Sequence, residues 1–442
     1  MGLRVTGHHL LLSPGPQASP DLWLLLLRSV DSIKPVAGDF STITLRCKDL
    51  RVLHLDIEGV EATLDISHSI EALSFLESVI TSYPFFYRPK DLRWGDAWHF
   101  HPPECYYKLM HGRCVEDEEL LRAVLAAAPH GAWGFIVDTR SAQTSKQARI
   151  TGGGTEAKVG YPGWKRLHWP LEKWQPLQES FLHLVEACED LEQRIDHWLS
   201  RLESCHWLAH VKKALSTACL AAQGMEREGA WFLALGAEGT DSTLLVTLLA
   251  QLILDPLSQT MAGFQELVER EWIQAGHPFQ LHCAHSAFSH TRPKHKAPTF
   301  LLFLDCVWQL GRQFPLSLEF GEGLLLALFG HAYASLFGTF LCNSEKERSL
   351  CKVRTRAHSL WSGLNQPKEQ RKLWNPLYVH NPSAIWPSVE PRSLRLWQGL
   401  FLCWTRPPEA SEVAWEKVWQ IVTDAENTEG SQPTVSASEP QP

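Results

Sequence analysis

The sequence contains no C-x-x-C pair and no apolar run that approaches the roughly 18 residues of a membrane span. Its eleven cysteines are odd in number and scattered, so neither a disulfide framework nor a standard zinc motif is indicated. Together with the absence of a signal peptide, they are typical of reduced thiols in a cytoplasmic protein. A net charge of −8 argues against nucleic acid as a partner.

The 442 residues, 44% apolar and 20% charged, predict a globular protein of more than one domain. Composition and spacing divide the chain into four parts. We predict a small β-rich domain over 1–83, a short connection over 84–112, an α/β domain over 113–406, and a short helix with a disordered tail over 407–442.

Short apolar runs separated by turn residues predict strands in the first part. The predicted strands are Val5–Ser13, Leu22–Leu27, Ser41–Arg46 and Arg51–Ile57. An amphipathic helix, Leu64–Ile80, follows them and closes this β-domain.

The third part alternates helices with strands. The predicted elements are a helix at Glu116–Ala127, a strand at Gly134–Asp138, a glycine-rich loop at Ser141–Thr155, a helical region over Trp174–Gln223 and a strand at Trp231–Leu235. Beyond this strand the sequence is mainly helical, with helices predicted at Phe264–Ala275, Thr299–Gln313 and Glu322–Ala334. The part is therefore expected to be an α/β domain.

One loop of small residues joins the apolar strand at Trp231–Leu235 to an apolar helix at Leu244–Leu254. Its residues are Gly236, Ala237, Glu238, Gly239, Thr240, Asp241, Ser242 and Thr243. Such strand–loop–helix turns cradle phosphates, because backbone N–H groups and the helix dipole converge there. This loop has no Lys, Arg, Cys or His, and the charges of Glu238 and Asp241 repel a phosphate.

A histidine-rich stretch after this helix raises the question of a metal. It contains His282, Cys283, His285, His290 and His295. A zinc site needs convergent ligands, and these spacings match no standard set. We therefore expect neither a metal nor any other cofactor.

The loop resembles the H-C-S-D-G-W-D-R-T signature of active myotubularin phosphatases, with which Leu235–Thr243 lines up position by position. Short sequence motifs that resemble this family also lie on both sides of the loop: Ile136–Arg140, Gly152–Gly154, Trp198–Leu199, Gly263–Phe264, Glu269–Trp272, Gly276–Phe279, Phe303–Asp305 and Asn375–Leu377. Gly7–Leu10 and Cys47–Asp49 resemble the PH-GRAM domain of these proteins. The resemblance implies a degenerate α/β phosphatase domain of the cysteine-phosphatase type, preceded by a partial PH-GRAM domain.

The resemblance also implies that the chemistry of the loop is lost. Gly236 stands at the position of the nucleophilic cysteine, and Ser242 stands at that of the arginine that binds phosphate. Leu235 replaces the preceding histidine. Asp241 keeps the position of the general acid, but we interpret it as a helix N-cap carboxylate. No residue is therefore expected to be catalytic.

The sequence differs from the family that it resembles in three respects. The chain is expected to begin inside the PH-GRAM fold and to have a much shorter segment between Pro89 and Arg113. In place of a C-terminal coiled coil, it has only a short helix at Trp415–Val422, which is too short to pair alone.

The favoured function is a cytoplasmic pseudophosphatase, peripheral on endomembranes, that regulates or scaffolds active 3-phosphoinositide phosphatases. One alternative is a residual hydrolase that uses Ser242 or Cys283 as nucleophile, and another is a degenerate copy without a stable fold. A weak phosphoinositide contact through basic residues of the β-domain is a further expectation. These residues are Arg28, Lys34, Arg46, Lys48 and Arg51.

Overall fold

The computed structural model describes residues 2–13, 23–36, 39–74, 115–127, 133–150, 161–171, 174–189, 194–237, 239–284 and 297–403. The predicted short connection over 84–112, the helix at Trp415–Val422 and the tail lie outside these residues. Among the described helices, none is long and apolar enough to cross a membrane.

The N-terminal part is β-rich, as predicted. It forms two three-stranded antiparallel sheets with the orders β1-β2-β3 and β4-β5-β6. The strands are β1 (Gly2–Val5), β2 (His9–Ser13), β3 (Trp23–Leu26), β4 (Val30–Val36), β5 (Asp39–Cys47) and β6 (Val52–Asp56). A short 3-10 turn, Leu27–Ser29, joins the two sheets.

Two strand predictions for this part were wrong. The expected strand Val5–Ser13 is a hairpin, because β1 pairs with β2 and the turn between them lies at 6–8. Thr6 stabilises this turn, since its hydroxyl donates to the carbonyl of His9. The sequence analysis also missed β4, whose Asp31, Ser32 and Lys34 interrupt the apolar pattern.

The core of the N-terminal part depends on alternation along β5. Ile43, Leu45 and Cys47 point inward and are buried, as expected for a sheet with one covered face. Helix α1 (Val60–Ser74) covers that face with the fully buried Ile70.

The α/β part contains a three-stranded parallel sheet of order β8-β7-β9. Its strands are β7 (Gly134–Asp138), β8 (Trp164–His168) and β9 (Trp231–Leu235). Strand β8 was not predicted, because Lys165, Arg166 and His168 mask its pattern. The expected loop Ser141–Thr155 was also wrong in its first half, where Ala142–Ile150 is helical.

Helices surround this sheet and continue beyond it. They are α2 (Val115–Ala126), α3 (Ala142–Ile150), α4 (Trp174–Glu189), α5 (Ile195–Ser204), α6 (Trp207–Glu228), α7 (Ser242–Leu254), α8 (Met261–Val268), α9 (Phe279–His282), α10 (Thr299–Gln313), α11 (Glu322–Tyr333), α12 (Glu345–Leu350), α13 (Val353–Arg356), α14 (Leu360–Leu364), α15 (Pro367–Leu373) and α16 (Gln398–Phe401). A π-helical turn, Glu269–Gln274, continues α8, and short 3-10 turns lie at Pro256–Gln259 and Pro391–Ser393.

Helix α7 lies at the centre of the largest hydrophobic core. Its leucines are buried on several faces, and they pack with α6, α8 and α10. A helix that is apolar on most sides must be enclosed by other elements. The loop that precedes α7 is therefore attached to the best-packed element of the molecule.

The N-terminal part contacts the helical core directly. Arg46 of β5 forms an ion pair with Glu189 at the end of α4, at 3.4 Å. Leu50, in the turn after β5, is buried within the main core. Arg51 pairs with Asp49, so both Arg46 and Arg51, which were considered for membrane contact, are engaged within the protein.

Candidate functional site at the ends of the parallel strands

The three parallel strands end side by side. Asp138 of β7 is the register partner of His168 in β8 and of Leu235 in β9. The carboxyl ends of parallel strands form the edge at which α/β proteins usually bind ligands. The loop at 236–243 begins at this edge.

Asp138 organises a charged network at the end of β7. Its side chain is fully buried, and it accepts hydrogen bonds from Arg140 Nε at 2.8 Å and Nη2 at 3.0 Å. Arg166 of β8 and the hydroxyl of Ser145 also donate to it. Burial raises the pKa of Asp138, but the hydrogen bonds and charge of Arg140, together with Arg166, lower it to about 2. Asp138 therefore stays ionised and fixes the guanidinium of Arg140.

Thr139 connects β7 to the loop. Its hydroxyl donates to the carbonyl oxygen of Leu235 at 2.7 Å, and it lies 2.9 Å from the hydroxyl of Ser242. Because the Thr139 proton goes to Leu235, the Ser242 hydroxyl is the donor in the second bond. The side chain at position 242 thus points toward β7 and makes a structural bond there.

The glycines of the loop allow a close approach of the chain. A Cβ atom at Gly236 would meet the hydroxyl oxygen of Thr243 at 2.6 Å, which is closer than ordinary packing permits. Gly239 has a φ of +79°, a conformation that favours glycine. Ala237 lines the cavity described below, and Glu238 lies outside the described residues.

Asp241 occupies the N-cap position of α7, as predicted, but its side chain makes no capping hydrogen bond. Its Oδ1 atom lies 3.1 Å from Nδ1 of His277 and 3.9 Å from Nε2 of His282. The Nδ1 atom of His277 also lies 2.8 Å from the carbonyl oxygen of Thr240. The predicted position at the N-terminus of the helix is therefore confirmed, but the carboxylate contacts His277 and makes no capping hydrogen bond.

The electrostatics of Asp241 follow from these neighbours. Burial raises its pKa, but the hydrogen-bonding interaction with His277 and the charges of His277 and His282 lower it by more. The pKa therefore ends below its usual value, and Asp241 is a carboxylate at neutral pH.

A cavity of about 410 Å³ opens in front of the loop. It is lined on one side by Thr139 and Arg140, and on the other by Asp241 and Ser242. Lys213 and His210 of α6, together with His282, add basic side chains to its wall. The cavity thus mixes positive groups with one carboxylate, and it is large enough for a small polar ligand.

The histidine-rich stretch does not gather at one point within the described residues. Cys283 lines a different cavity, of about 290 Å³, together with Arg28 and Lys48 of the N-terminal part. Burial raises the pKa of the Cys283 thiol to about 12, so it is not a ready thiolate. His285, His290 and His295 lie outside the described residues.

Comparison with known proteins decides the family. The family model described as "Myotubularin-like phosphatase domain" matches residues 103–349. A protein of Bos taurus named myotubularin-related protein 9-like is 71% identical, over 100% of this chain and 95% of its own length. The chain belongs to the myotubularin family. The resemblance stated from the residues of the loop is therefore confirmed.

Other members of the myotubularin family are similar over most of the chain. Myotubularin-related protein 9 of Homo sapiens is 44% identical over 95% of this chain and 89% of its own length. A Mus musculus protein named phosphatidylinositol-3,5-bisphosphate 3-phosphatase is 36% identical over 66% of this chain and 45% of its own. The alignment with the bovine relative runs over 515 positions, more than the 442 residues of the chain, so part of that relative has no counterpart here.

The sequence located the loop of this myotubularin-family site but missed most of its surroundings. The sequence analysis named His277 only as part of the family-like motif Gly276–Phe279. The sequence spacing between His277 and Asp241 did not indicate a contact. Arg166 lies on an unpredicted strand, and Lys213 lies on a helix with no distinctive motif. Only the fold brings these side chains to one edge of the sheet.

Proposed function

We propose that this chain is a catalytically inactive member of the myotubularin family that regulates or scaffolds active 3-phosphoinositide phosphatases. The observation that carries the proposal is the pair of residues at positions 236 and 242. Where the family signature has cysteine and arginine, the chain has Gly236 and Ser242. No thiolate can attack phosphorus at position 236, and no guanidinium can bind the phosphate at 242.

The packing around both positions supports this proposal. A Cβ atom at Gly236 would lie 2.6 Å from the hydroxyl oxygen of Thr243, so this hydroxyl would have to move before a nucleophile could stand at that point. The hydroxyl of Ser242 is bonded to Thr139, which is not a base and does not activate it. Asp241, at the family's general-acid position, is held by His277.

Several groups that surround a phosphatase loop are nevertheless present. Strand β9, the turn and helix α7 form the expected frame, and Arg140 is fixed by Asp138 at the neighbouring strand end. A domain that keeps this packed frame without the reacting groups can still bind another protein. As the partner class we propose active 3-phosphatases of the same family, such as the mouse relative named phosphatidylinositol-3,5-bisphosphate 3-phosphatase.

The residual-hydrolase alternative has less support. Cys283 faces another cavity, and burial raises the pKa of its thiol to about 12. Ser242 donates its proton to Thr139 instead of to a histidine or carboxylate. Neither residue has the adjacent base that an activated nucleophile requires.

The alternative of a copy without a stable fold is opposed by the extent of the main core. It includes four fully buried tryptophans, Trp207, Trp272, Trp361 and Trp397. Near-UV circular dichroism during a thermal melt tests this directly, since these side chains report fixed tertiary packing. A single cooperative transition is expected, and a signal without structure or cooperativity would favour the alternative.

We also assign the N-terminal β-rich part to a partial PH-GRAM domain with weak phosphoinositide contact. Arg46 and Arg51 are in ion pairs, while Arg28 and Lys48 line the cavity toward the helical core. These positions limit the membrane-facing charge. Flotation with vesicles of phosphatidylcholine, with or without phosphatidylinositol 3-phosphate, should therefore show at most a small gain with the phosphoinositide.

Partnership is tested by mixing the purified full chain with the active mouse 3-phosphatase relative. Size-exclusion chromatography with light scattering should show a complex larger than either protein. Phosphate release by the active enzyme should change at least about twofold in the same mixture, with an unrelated protein of equal mass as control. Separate elution together with an unchanged rate would contradict the regulatory part of the proposal.

A further inference from the structure

We propose that Asp241, His277 and His282 form a binding site for a divalent transition-metal ion, with Zn²⁺ as the probe. The site joins the loop before α7 to the segment that contains α9. It is independent of the proposed function, and it departs from the expectation that the chain holds no metal.

The geometry of the three donors carries this inference. One ligand atom from each residue lies within 4.8 Å of the others, and two of the separations are 3.1 and 3.9 Å. Zinc bonds of about 2.0–2.2 Å place neighbouring ligand atoms roughly 3.3 Å apart in a tetrahedral site. The observed separations bracket this value, so small side-chain movements suffice to close the site on an ion.

The buried oxygen of Asp241 faces both histidines. Asp241 Oδ1 lies 3.1 Å from Nδ1 of His277, whose ring proton also faces the Thr240 carbonyl, so Oδ1 is incompletely hydrogen-bonded among the described residues. An ion between Oδ1 and the two imidazoles would satisfy it.

His282 can present its Nε2 atom to an ion. Its Nδ1 atom lies 2.9 Å from the carbonyl oxygen and 3.4 Å from the backbone nitrogen of Ala297, so it can donate to the carbonyl or accept from the N–H. In the tautomer with the proton on Nδ1, the lone pair of Nε2 faces Asp241, and the backbone carbonyl orients the ring as it does for metal-binding histidines. Asp241 and His282 both line the 410 Å³ cavity, which gives an ion and a water ligand a route of entry.

His277 must change tautomer when the ion binds. Its Nδ1 atom faces both Asp241 Oδ1 and the Thr240 carbonyl, and it carries the ring proton when it donates to that carbonyl. On metal binding, Nδ1 gives this proton to solvent and forms the metal–nitrogen bond while Nε2 takes one up, so the neutral ring releases no net proton. Two imidazoles and one carboxylate are donors that suit zinc and its neighbours better than magnesium or calcium.

A simple Asp–His ion pair is the competing interpretation. It explains the contact of Asp241 with His277, which would fix the loop to the segment after α8. The second pair, between His282 Nε2 and the same carboxylate oxygen, is long for an ion pair at 3.9 Å, whereas a shared ion would fill this distance. A metal site accounts for all three side chains at once.

The test is a zinc titration of the full chain after treatment with a chelator and its removal. A chromophoric zinc chelator in competition measures affinity and stoichiometry, with reductant present because the chain has eleven cysteines. We expect one tight equivalent in the unchanged chain. His282→Gln and Asp241→Asn should each weaken it at least tenfold.

His210→Gln is the matched control, because His210 lines the same cavity but is not among the three ligands. It should bind zinc like the unchanged chain. Zinc should raise the Tm of the unchanged chain and of His210→Gln, but not that of His282→Gln. Equal zinc affinity in all variants, or no tight equivalent in the unchanged chain, would overturn the proposal.

Discussion

The ends of β7 and β9 lie next to each other but differ in chemistry. At the end of β7, Asp138 is surrounded by donors and fixes Arg140 in a defined orientation. At the end of β9, the corresponding turn begins with Gly236, and the hydroxyl of Ser242 bonds back to β7. One strand end keeps a charged network, and the turn at the other begins with the small residues Gly236 and Ala237.

This difference distinguishes the structural elements that position a site, here called its frame, from the side chains that would react. The frame depends on the buried charge of Asp138 and on the packing of α7, both of which also stabilise the fold. Gly236 and Ser242 are only partly buried and lie outside this charged network, so we expect replacements there to disturb the fold less. Changes at β7 should accordingly cost more stability than changes at β9.

Asp138→Asn should have the largest effect. It leaves Arg140 and Arg166 without their carboxylate, and we expect the free energy of unfolding at pH 7 to fall by about 2–4 kcal/mol. Urea denaturation followed by tryptophan fluorescence measures this change. Ser145→Ala, which removes only one donor to the same carboxylate, is the matched control and should cost less.

The same carboxylate predicts a pH dependence. Because the pKa of Asp138 is lowered to about 2 in the folded state, its contribution is present above the unfolded pKa of about 4. That contribution is lost as the pH falls from about 4 toward 2. Over this range, the free energy of unfolding should fall more steeply with decreasing pH for the unchanged chain than for Asp138→Asn. Parallel pH profiles of the two proteins would contradict this assignment.

Gly236→Cys should have an intermediate effect. The new Cβ atom would meet the Thr243 hydroxyl, so we expect a loss of about 1–3 kcal/mol. Adding Thr243→Ala should recover part of it. Gly239→Ala provides the contrast. Its loss of stability arises from the positive φ at position 239, so adding Thr243→Ala should not restore stability.

Thr139→Val should have the smallest effect. It removes the hydroxyl that bonds Leu235 and Ser242, while the backbone N–H of Thr139 still donates to the Leu235 carbonyl. A loss of about 1 kcal/mol is expected, and Ser242→Ala should cost no more. A larger loss from Ser242→Ala would mean that position 242 has a role beyond this bond.

The sequence was most informative where elements are long or strongly apolar. The strands Gly134–Asp138 and Trp231–Leu235 and the helix Thr299–Gln313 have the predicted bounds. Gly134–Asp138 and most of the helix are buried, while Trp231–Leu235 is only partly buried and is recognised by its continuous apolar run. Strand β8 was missed because its pairing with β7, rather than its own residues, determines that it is a strand.

The candidate site shows the same limit. The interpretation of the loop depends on residues 236 and 242 alone, which are close together in the sequence and could be compared directly with the family signature. The cluster of Asp241 with His277 and His282 was not, because it depends on how α7 and α9 pack. Asp241 illustrates this well, since local preference favours a cap and the tertiary contact with His277 replaces it.

The most direct test of the account is phosphate release from phosphatidylinositol 3-phosphate by the highly purified full chain. The active mouse relative serves as positive control, and the heat-denatured chain as blank. We predict a rate equal to the blank for the unchanged chain. Release that is linear in time and in protein, and that is reduced by Asp241→Asn, would show that the loop retains catalysis and would contradict the account.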